Sequence, residues 1–261
     1  MPRSVFFAAT VLWLAAIVWG QPGEQNPAFW TARGRQAEGS GDLTAAAEAY
    51  SRAIELGGGS PGLTHRRGEI LLQVGQVEEA LADFDRAIAQ EPGIAPYSWQ
   101  RGIALYEAGR FDDCRRQFDL HRSVNPNDVE NSAWHFLCNA RANGVEQARR
   151  DLLIVAGDPR VPMREVLALF AGEASEPDVL EAARAGDSDG ADLANRLFYA
   201  HLYIGLFHEA QGRLAEAHEN LRRAVDGAEL GHTMWRLAQV HVQRFEEAYG
   251  DAVGSAPSTR R

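Results

Sequence analysis

A step of 34 residues recurs through the first half of the sequence and constrains the fold more than any other feature. Three kinds of position keep this step: a glycine, a second glycine, and an aromatic residue. They are Gly34, Gly68 and Gly102, then Gly41, Gly75 and Gly109, then Tyr50, Phe84 and Phe118. A fixed period of this length is typical of proteins in which stacked units share one continuous core. The sequence therefore predicts a row of helical repeats.

The pattern resembles the tetratricopeptide repeat, a pair of antiparallel helices about 34 residues long. The match covers residues 27–60, 61–94 and 95–128, with Cys114 and His121 where alanine is usual. The resemblance implies an all-α, right-handed superhelical solenoid. It also implies that the first glycine of each repeat saves space between helices and that the second one forms the turn. The same glycines do not match a phosphate loop, because their spacing is different and no Lys-Ser/Thr pair follows.

The pattern weakens beyond residue 128. Residues 129–197 still favour helices, and a further repeat is predicted at 198–231. The amphipathic segment 232–249 is expected to cap the open end of the stack, since terminal units need a polar outer face. Residues 250–261 are expected to form a loose tail. No segment has the alternation of a strand.

The N-terminus has the pattern of a secretory signal peptide, assigned to residues 1–20, with a short linker at 21–26. Arg3 precedes the apolar run 5–19, and small residues at 18 and 20 favour cleavage before Gln21. The run has 15 residues, whereas a membrane-spanning helix needs about 20. The sequence thus predicts an exported protein, periplasmic or secreted. An inner-membrane anchor formed by an uncleaved segment is the alternative.

Charge and motifs argue against several functional classes. The formal charge of −10 and a pI near 5.3 disfavour a nucleic-acid-binding face. His208 and His218 each begin an H-E pair without the second histidine of a zinc site. We therefore expect no catalytic residues, no cofactor, no metal and no enzyme activity.

The two cysteines, Cys114 and Cys138, form no CxxC motif. Cys114 takes a buried repeat position, where a thiol behaves as a small hydrophobic group. In an exported chain the pair could instead form a disulfide, which would contribute about 3 kcal/mol. Both interpretations stay open at this level.

A partner-binding groove is expected where the first helices of the repeats line the concave face. In tetratricopeptide stacks, positions 5, 9 and 12 of each repeat point into that groove. By register they are Arg35, Glu38, His65, Glu69, Leu72, Trp99, Ile103, Tyr106, Leu202, Leu206 and Glu209, with Thr31 beside them. The apolar and aromatic trio in the third repeat is suited to anchoring a peptide or helix. Alternatively, Trp99 and Tyr106 pack on the fourth repeat or on a dimer partner.

The order of segments further resembles the bacterial new-lipoprotein-I type of tetratricopeptide lipoprotein. The likeness is clearest in "QRGIALYEAGRF", "NPNDVENSAW" and "LFAGEASEPDVLEAA". It implies a homodimeric envelope adaptor that scaffolds cell-wall hydrolases and a tail-specific protease. The chain differs from that family because no lipid-acceptor cysteine follows the apolar run. The expected function is a protein-binding scaffold. The alternative is a self-associating structural repeat whose groove is filled by its own dimer or terminus.

Overall fold

The computed structural model describes residues 25–155, 159–186 and 190–254. The predicted signal peptide and the last seven residues lie outside this part. Within it no strand occurs, and the predicted all-α solenoid is confirmed. The α-helices are α1 Pro27–Gly39, α2 Leu43–Ala53, α3 Pro61–Gln73, α4 Val77–Gln90, α5 Trp99–Glu107, α6 Phe111–His121, α7 Val129–Asn143, α8 Val145–Arg150, α9 Met163–Ala171, α10 Glu176–Arg184, α11 Gly190–Ala210, α12 Leu214–Asp226 and α13 Thr233–Gly254. A π-helical turn, Ile54–Gly58, follows α2, and a 3-10 segment, Pro92–Tyr97, precedes α5.

The first glycine of each repeat lies against the aromatic ring that follows it on the second helix. A Cβ placed on Gly102 would lie 2.5 Å from Cε2 of Phe118, and one on Gly68 would lie 3.1 Å from the ring of Phe84. The two helices of a repeat can approach this closely only because the glycine has no side chain. Phe84 and Phe118 are fully buried as a result.

Substituting Gly102 by alanine is expected to lower the free energy of unfolding by about 1–3 kcal/mol, because the Phe118 ring has to move in a packed core. Gly62→Ala is the matched control: Gly62 also lies in a helix, and an added Cβ meets nothing within 4 Å. The control should be neutral or stabilising by up to about 1 kcal/mol. Urea unfolding of both variants measures the difference; equal stabilities would contradict this packing role.

The second glycine of each repeat forms the turn between its two helices. Gly41, Gly75, Gly109 and Gly212 have φ values of 80°, 83°, 70° and 74°. Only glycine adopts this left-handed region without strain, which explains its recurrence. The described chain contains no other type of residue with positive φ.

The less regular middle of the chain still consists of paired helices. Gly144 separates α7 from α8, and α10 begins with the predicted capping box of Ser175 and Asp178. Two helix bounds bear on the predicted segments. α11 begins at Gly190, ahead of the repeat predicted from 198, in a part of the chain that the sequence predicted to favour helices. α13 extends to Gly254, so residues 250–254 are helical and not part of a loose tail.

The C-terminal helix α13 does more than cap the stack. It packs on α12 and also contacts α3. A Cβ on Gly41 would lie 3.9 Å from Arg236, and one on Gly75 would lie 4.0 Å from Val240. Further along the same helix, Arg244 donates a hydrogen bond of 3.1 Å to the carbonyl oxygen of Glu107. α13 therefore runs past the turns of the first three repeats.

Cys114 on α6 and Cys138 on α7 are joined as a disulfide, with their Cα atoms 5.8 Å apart. Both residues are fully buried. The bond ties the last regular repeat to the first helix of the irregular part. None of the described helices is both long and apolar enough to cross a membrane.

Candidate protein-binding groove

The predicted groove positions fall into two groups. Arg35 is exposed, and partly accessible side chains occur at Glu38, His65, Glu69 and Trp99. The other six are buried, unlike the open surface that the sequence suggested: Leu72, Ile103, Tyr106, Leu202, Leu206 and Glu209. Apart from Leu72, the accessible predicted positions are those up to Trp99, and the positions after Trp99 are buried.

A buried cluster of charges lies where α13 closes the groove. Nδ1 of His241 lies 2.9 Å from Oε1 of Glu107, and its Nε2 lies 3.0 Å from Oε2 of Glu209. All three side chains are less than a tenth exposed. Charges this deep in a protein are tolerated only when they are paired. His241 therefore connects the C-terminal helix to α5 and α11 at the same time.

The pKa values of this cluster show how strongly its members depend on one another. Burial alone would lower the pKa of His241, but the carboxylates of Glu107 and Glu209 raise it to about 10. Burial alone would raise the pKa of Glu209, but His241 and Arg141 lower it to about 2. Near neutral pH both groups are charged, and the cluster holds as ion pairs.

Arg141 and Tyr106 complete the cluster. Arg141 pairs with Glu209 and lies over the ring of Phe111, with its guanidinium carbon 4.6 Å from the ring centroid. The Tyr106 hydroxyl donates a hydrogen bond of 3.2 Å to Glu209, and its ring is 5.5 Å from that of Trp134 on α7. Tyr106 thus packs on the fourth repeat, the alternative that the sequence left open, and its contacts are structural.

A cleft of about 500 Å³ opens beside this cluster. Phe111, Phe245 and Tyr249 contribute to its wall, and Glu78 and Glu247 lie exposed at its rim. α13 supplies His241, Arg244 and Phe245 to the lining of this cleft.

The accessible part of the concave face carries a ladder of polar contacts across three first helices. Arg66 pairs with Glu38 at 2.6 Å and with Glu69 at 2.5 Å, and Gln100 donates to Glu69 at 3.0 Å. Nε2 of His65 lies 2.8 Å from the Ser98 hydroxyl. The ladder fixes side chains on the same helices as Arg35 and Trp99. Arg35 is exposed, and Trp99 is partly buried against the core.

His241, Glu107 and Arg141 were not singled out from the sequence. The sequence separation between Glu107 and His241 is 134, far beyond the reach of a 34-residue register. The described residues contain no group of three or more His, Cys, Asp or Glu side chains that could hold a metal ion.

Comparisons with known proteins agree with this architecture. Residues 65–119 match the family described as tetratricopeptide repeat. Comparison with curated proteins found no significant match. Among solved structures, the chain is similar to a tetratricopeptide repeat protein from Parabacteroides merdae ATCC 43184, with a TM-score of 0.54 and 18% identity over 87% of this chain and 86% of that one. The chain thus contains a tetratricopeptide repeat match at residues 65–119 and folds as an all-helical repeat solenoid.

Proposed function

We propose that this protein is a non-enzymatic scaffold that binds other proteins through the open part of its concave face. Tetratricopeptide repeats generally mediate protein–protein interaction. The observation that carries the proposal is the contrast along the groove, in which Arg35 and Trp99 remain accessible while the later positions are covered. Tryptophan and arginine are among the residues most often found at the energetic centre of interfaces.

The partners we propose are envelope proteins, among them cell-wall hydrolases and a tail-specific protease, bound by a homodimeric adaptor. This part of the proposal rests on the sequence resemblance to envelope lipoproteins. Export, to the periplasm or the outside, rests on the apolar run at residues 5–19.

The groove is tested by crosslinking and recovery of partners from an envelope fraction. Arg35→Glu/Trp99→Ala should reduce recovery of a specific partner at least tenfold. The variant removes the accessible aromatic ring of Trp99 and reverses the charge at position 35. Arg116→Glu/Leu120→Ala is the matched control, as both residues are exposed on the second helix α6. Equal losses with both variants would contradict the groove assignment.

Export is tested by the mass of the protein recovered from the expressing cell. A chain that begins at Gln21 is the expected product. A chain that retains Met1 or Pro2 would contradict cleavage and favour the anchored alternative.

A second candidate is a structural repeat protein whose groove is filled by its own terminus. The observation that favours it is the position of α13, which covers part of the concave face through His241 and Arg244. In that case the wild-type protein would recover no partner above the background of the same experiment without the protein. Arg35→Glu/Trp99→Ala would leave the stability and the assembly of the protein unchanged.

A further inference from the structure

A second cleft, of about 550 Å³, lies between α9 and the residues that follow α8. Its lining is largely apolar and includes Leu152, Ile154, Val155 and Leu167. None of its lining residues belongs to the concave groove. Ile154 is 88% exposed, the largest exposure among the large apolar side chains of the described residues. An apolar cleft with so exposed an isoleucine beside it is typical of a surface that another molecule covers.

The segment beside the cleft is not helical and offers unused backbone donors. Residues 152–155 adopt no regular secondary structure. Within the part of the chain that the structure describes, no hydrogen bond engages the N–H of Leu153 or of Ile154. The Leu153 carbonyl accepts from the Ser132 hydroxyl at 2.6 Å, which holds the segment against α7. Neighbouring N–H groups of an extended chain point to opposite sides, so the N–H of Ile154 is the one directed away from α7. An extended peptide has a carbonyl oxygen to accept from it, whereas a helix has none to spare.

The second wall of the cleft is α9, and a side chain of opposite charge lies at each of its ends. Arg164, Leu167, Ala168 and Ala171 share one face of α9, because they are spaced three or four residues apart. Glu173 follows the end of the helix and also lines the cleft. Between Arg164 and Ala171, the last residue of α9, the helical rise gives about 10 Å, and Glu173 follows just after the turn at Gly172. Three to four residues of extended chain, at about 3.3 Å each, cover a length of this order.

Both charges are available to a ligand. The Arg164 side chain is 88% exposed, and among the described residues it pairs only with its neighbour Glu165. Glu173 is exposed, and within the described residues it takes part in no ion pair. A bound peptide could therefore place an acidic residue beside Arg164 and a basic residue beside Glu173.

We propose that this cleft is a second protein-docking site that receives an extended peptide. The peptide has a core of four apolar residues, an acidic residue at one end and a basic residue at the other. One of its carbonyl oxygens accepts a hydrogen bond from the N–H of Ile154, and alternate side chains enter the cleft beside Leu167. The proposal does not depend on the groove, so either site can fail without the other.

Two fluorescein-labelled probes test the site, each with four β-branched apolar residues and a polar linker. One has Asp before the core and Lys after it, and the other has the reverse order. Fluorescence anisotropy with the full chain should show saturable binding of one of the two. Ile154→Asp should weaken that binding at least tenfold. Leu120→Asp, the matched control at another exposed apolar residue, should leave it unchanged.

Charge reversal gives the sharper result. Arg164→Glu should weaken binding of the preferred probe about fivefold or more, and a probe carrying Lys in place of its Asp should restore it. Absence of saturable binding by both probes, or equal binding to Ile154→Asp, would overturn the proposal. Tighter binding of a 14-residue amphipathic helix would overturn the extended conformation. A wild-type protein that is a dimer in solution and binds neither probe, together with a monomeric Ile154→Asp variant, would assign the cleft to a second copy of the chain instead.

Discussion

Replacing His241 by alanine is expected to lower the free energy of unfolding by about 3–5 kcal/mol, the usual cost of removing one partner from a buried ion pair. The variant leaves the carboxylates of Glu107 and Glu209 buried with fewer counter-charges. Urea unfolding at pH 6 followed by circular dichroism measures the change. Most of this loss in stability comes from the carboxylates that are left unpaired in the interior, and less comes from the lost packing of the imidazole ring.

His218→Ala is the control for this prediction. His218 lies on α12 and pairs with Glu246 of α13 at 2.8 Å, but both side chains are partly exposed. Such a pair contributes at most about 1 kcal/mol, because water screens it. A loss with His218→Ala as large as that with His241→Ala would show that any disturbance of α13 has the same cost, and would contradict the special role of the buried cluster.

The same cluster predicts a pH dependence with a defined direction. The pKa of His241 is raised from 6.5 to about 10, so its stabilisation is complete below about pH 6.5 and is lost as the pH rises towards 10. The pKa of Glu209 is lowered from 4.5 to about 2, so its stabilisation is complete above about pH 4.5 and is lost as the pH falls towards 2. The stability difference between wild type and His241→Ala should therefore be largest between about pH 4.5 and 6.5. A difference that stays constant up to pH 10 would contradict the ion pairing of His241.

Removal of the disulfide is expected to have the second largest effect. The bond spans a sequence separation of 24 between α6 and α7. Loop-closure entropy for a segment of this length corresponds to about 3.5 kcal/mol. Cys114→Ala/Cys138→Ala should lose about this amount relative to the oxidised protein. Alanine is the usual residue at the repeat position of Cys114, so repacking adds little to the loss.

The wild-type protein unfolded in the presence of a reductant is the control. It keeps both sulfur atoms and lacks only the bond, and its stability should fall to within about 1 kcal/mol of the alanine variant. Equal stability of the oxidised and reduced forms would contradict a stabilising bond. A stable reduced form with an unstable alanine variant would assign the effect to packing of the thiols.

The sequence predicted those contacts that recur within one repeat. The approach of Gly102 to Phe118 and the left-handed turn at Gly109 both lie inside a single 34-residue unit, so the period itself locates them. The Cys114–Cys138 proximity follows from adjacent helices, and register again suffices. α11 begins at Gly190, whereas the repeat pattern starts at 198, so the repeat alone does not give the bounds of that helix.

The candidate site was predicted less well. Tyr106 and Glu209 were expected in the groove, with packing on the fourth repeat as the alternative for Tyr106, and both are buried with His241 of α13. The repeat register specifies which face of each first helix points to the concave side of the solenoid. It contains no information about which other segment covers that face. The covering helix comes from the opposite end of the sequence, and its charge pairs have no local signal. Arg35 is exposed and Trp99 is partly exposed, as the register suggested.

The passage of α13 along the turns of the first three repeats changes how the molecule should unfold. In an open array each unit touches only its neighbours, so the ends fray first and partly unfolded forms become populated. Here the last helix contacts α3, and His241 on it bonds to Glu107 on α5. The stability of the C-terminal helix is therefore coupled to that of the first three repeats. Loss of the first repeats would also strip contacts from the C-terminus. We expect calorimetric and van't Hoff enthalpies of unfolding to agree, as for a single cooperative unit.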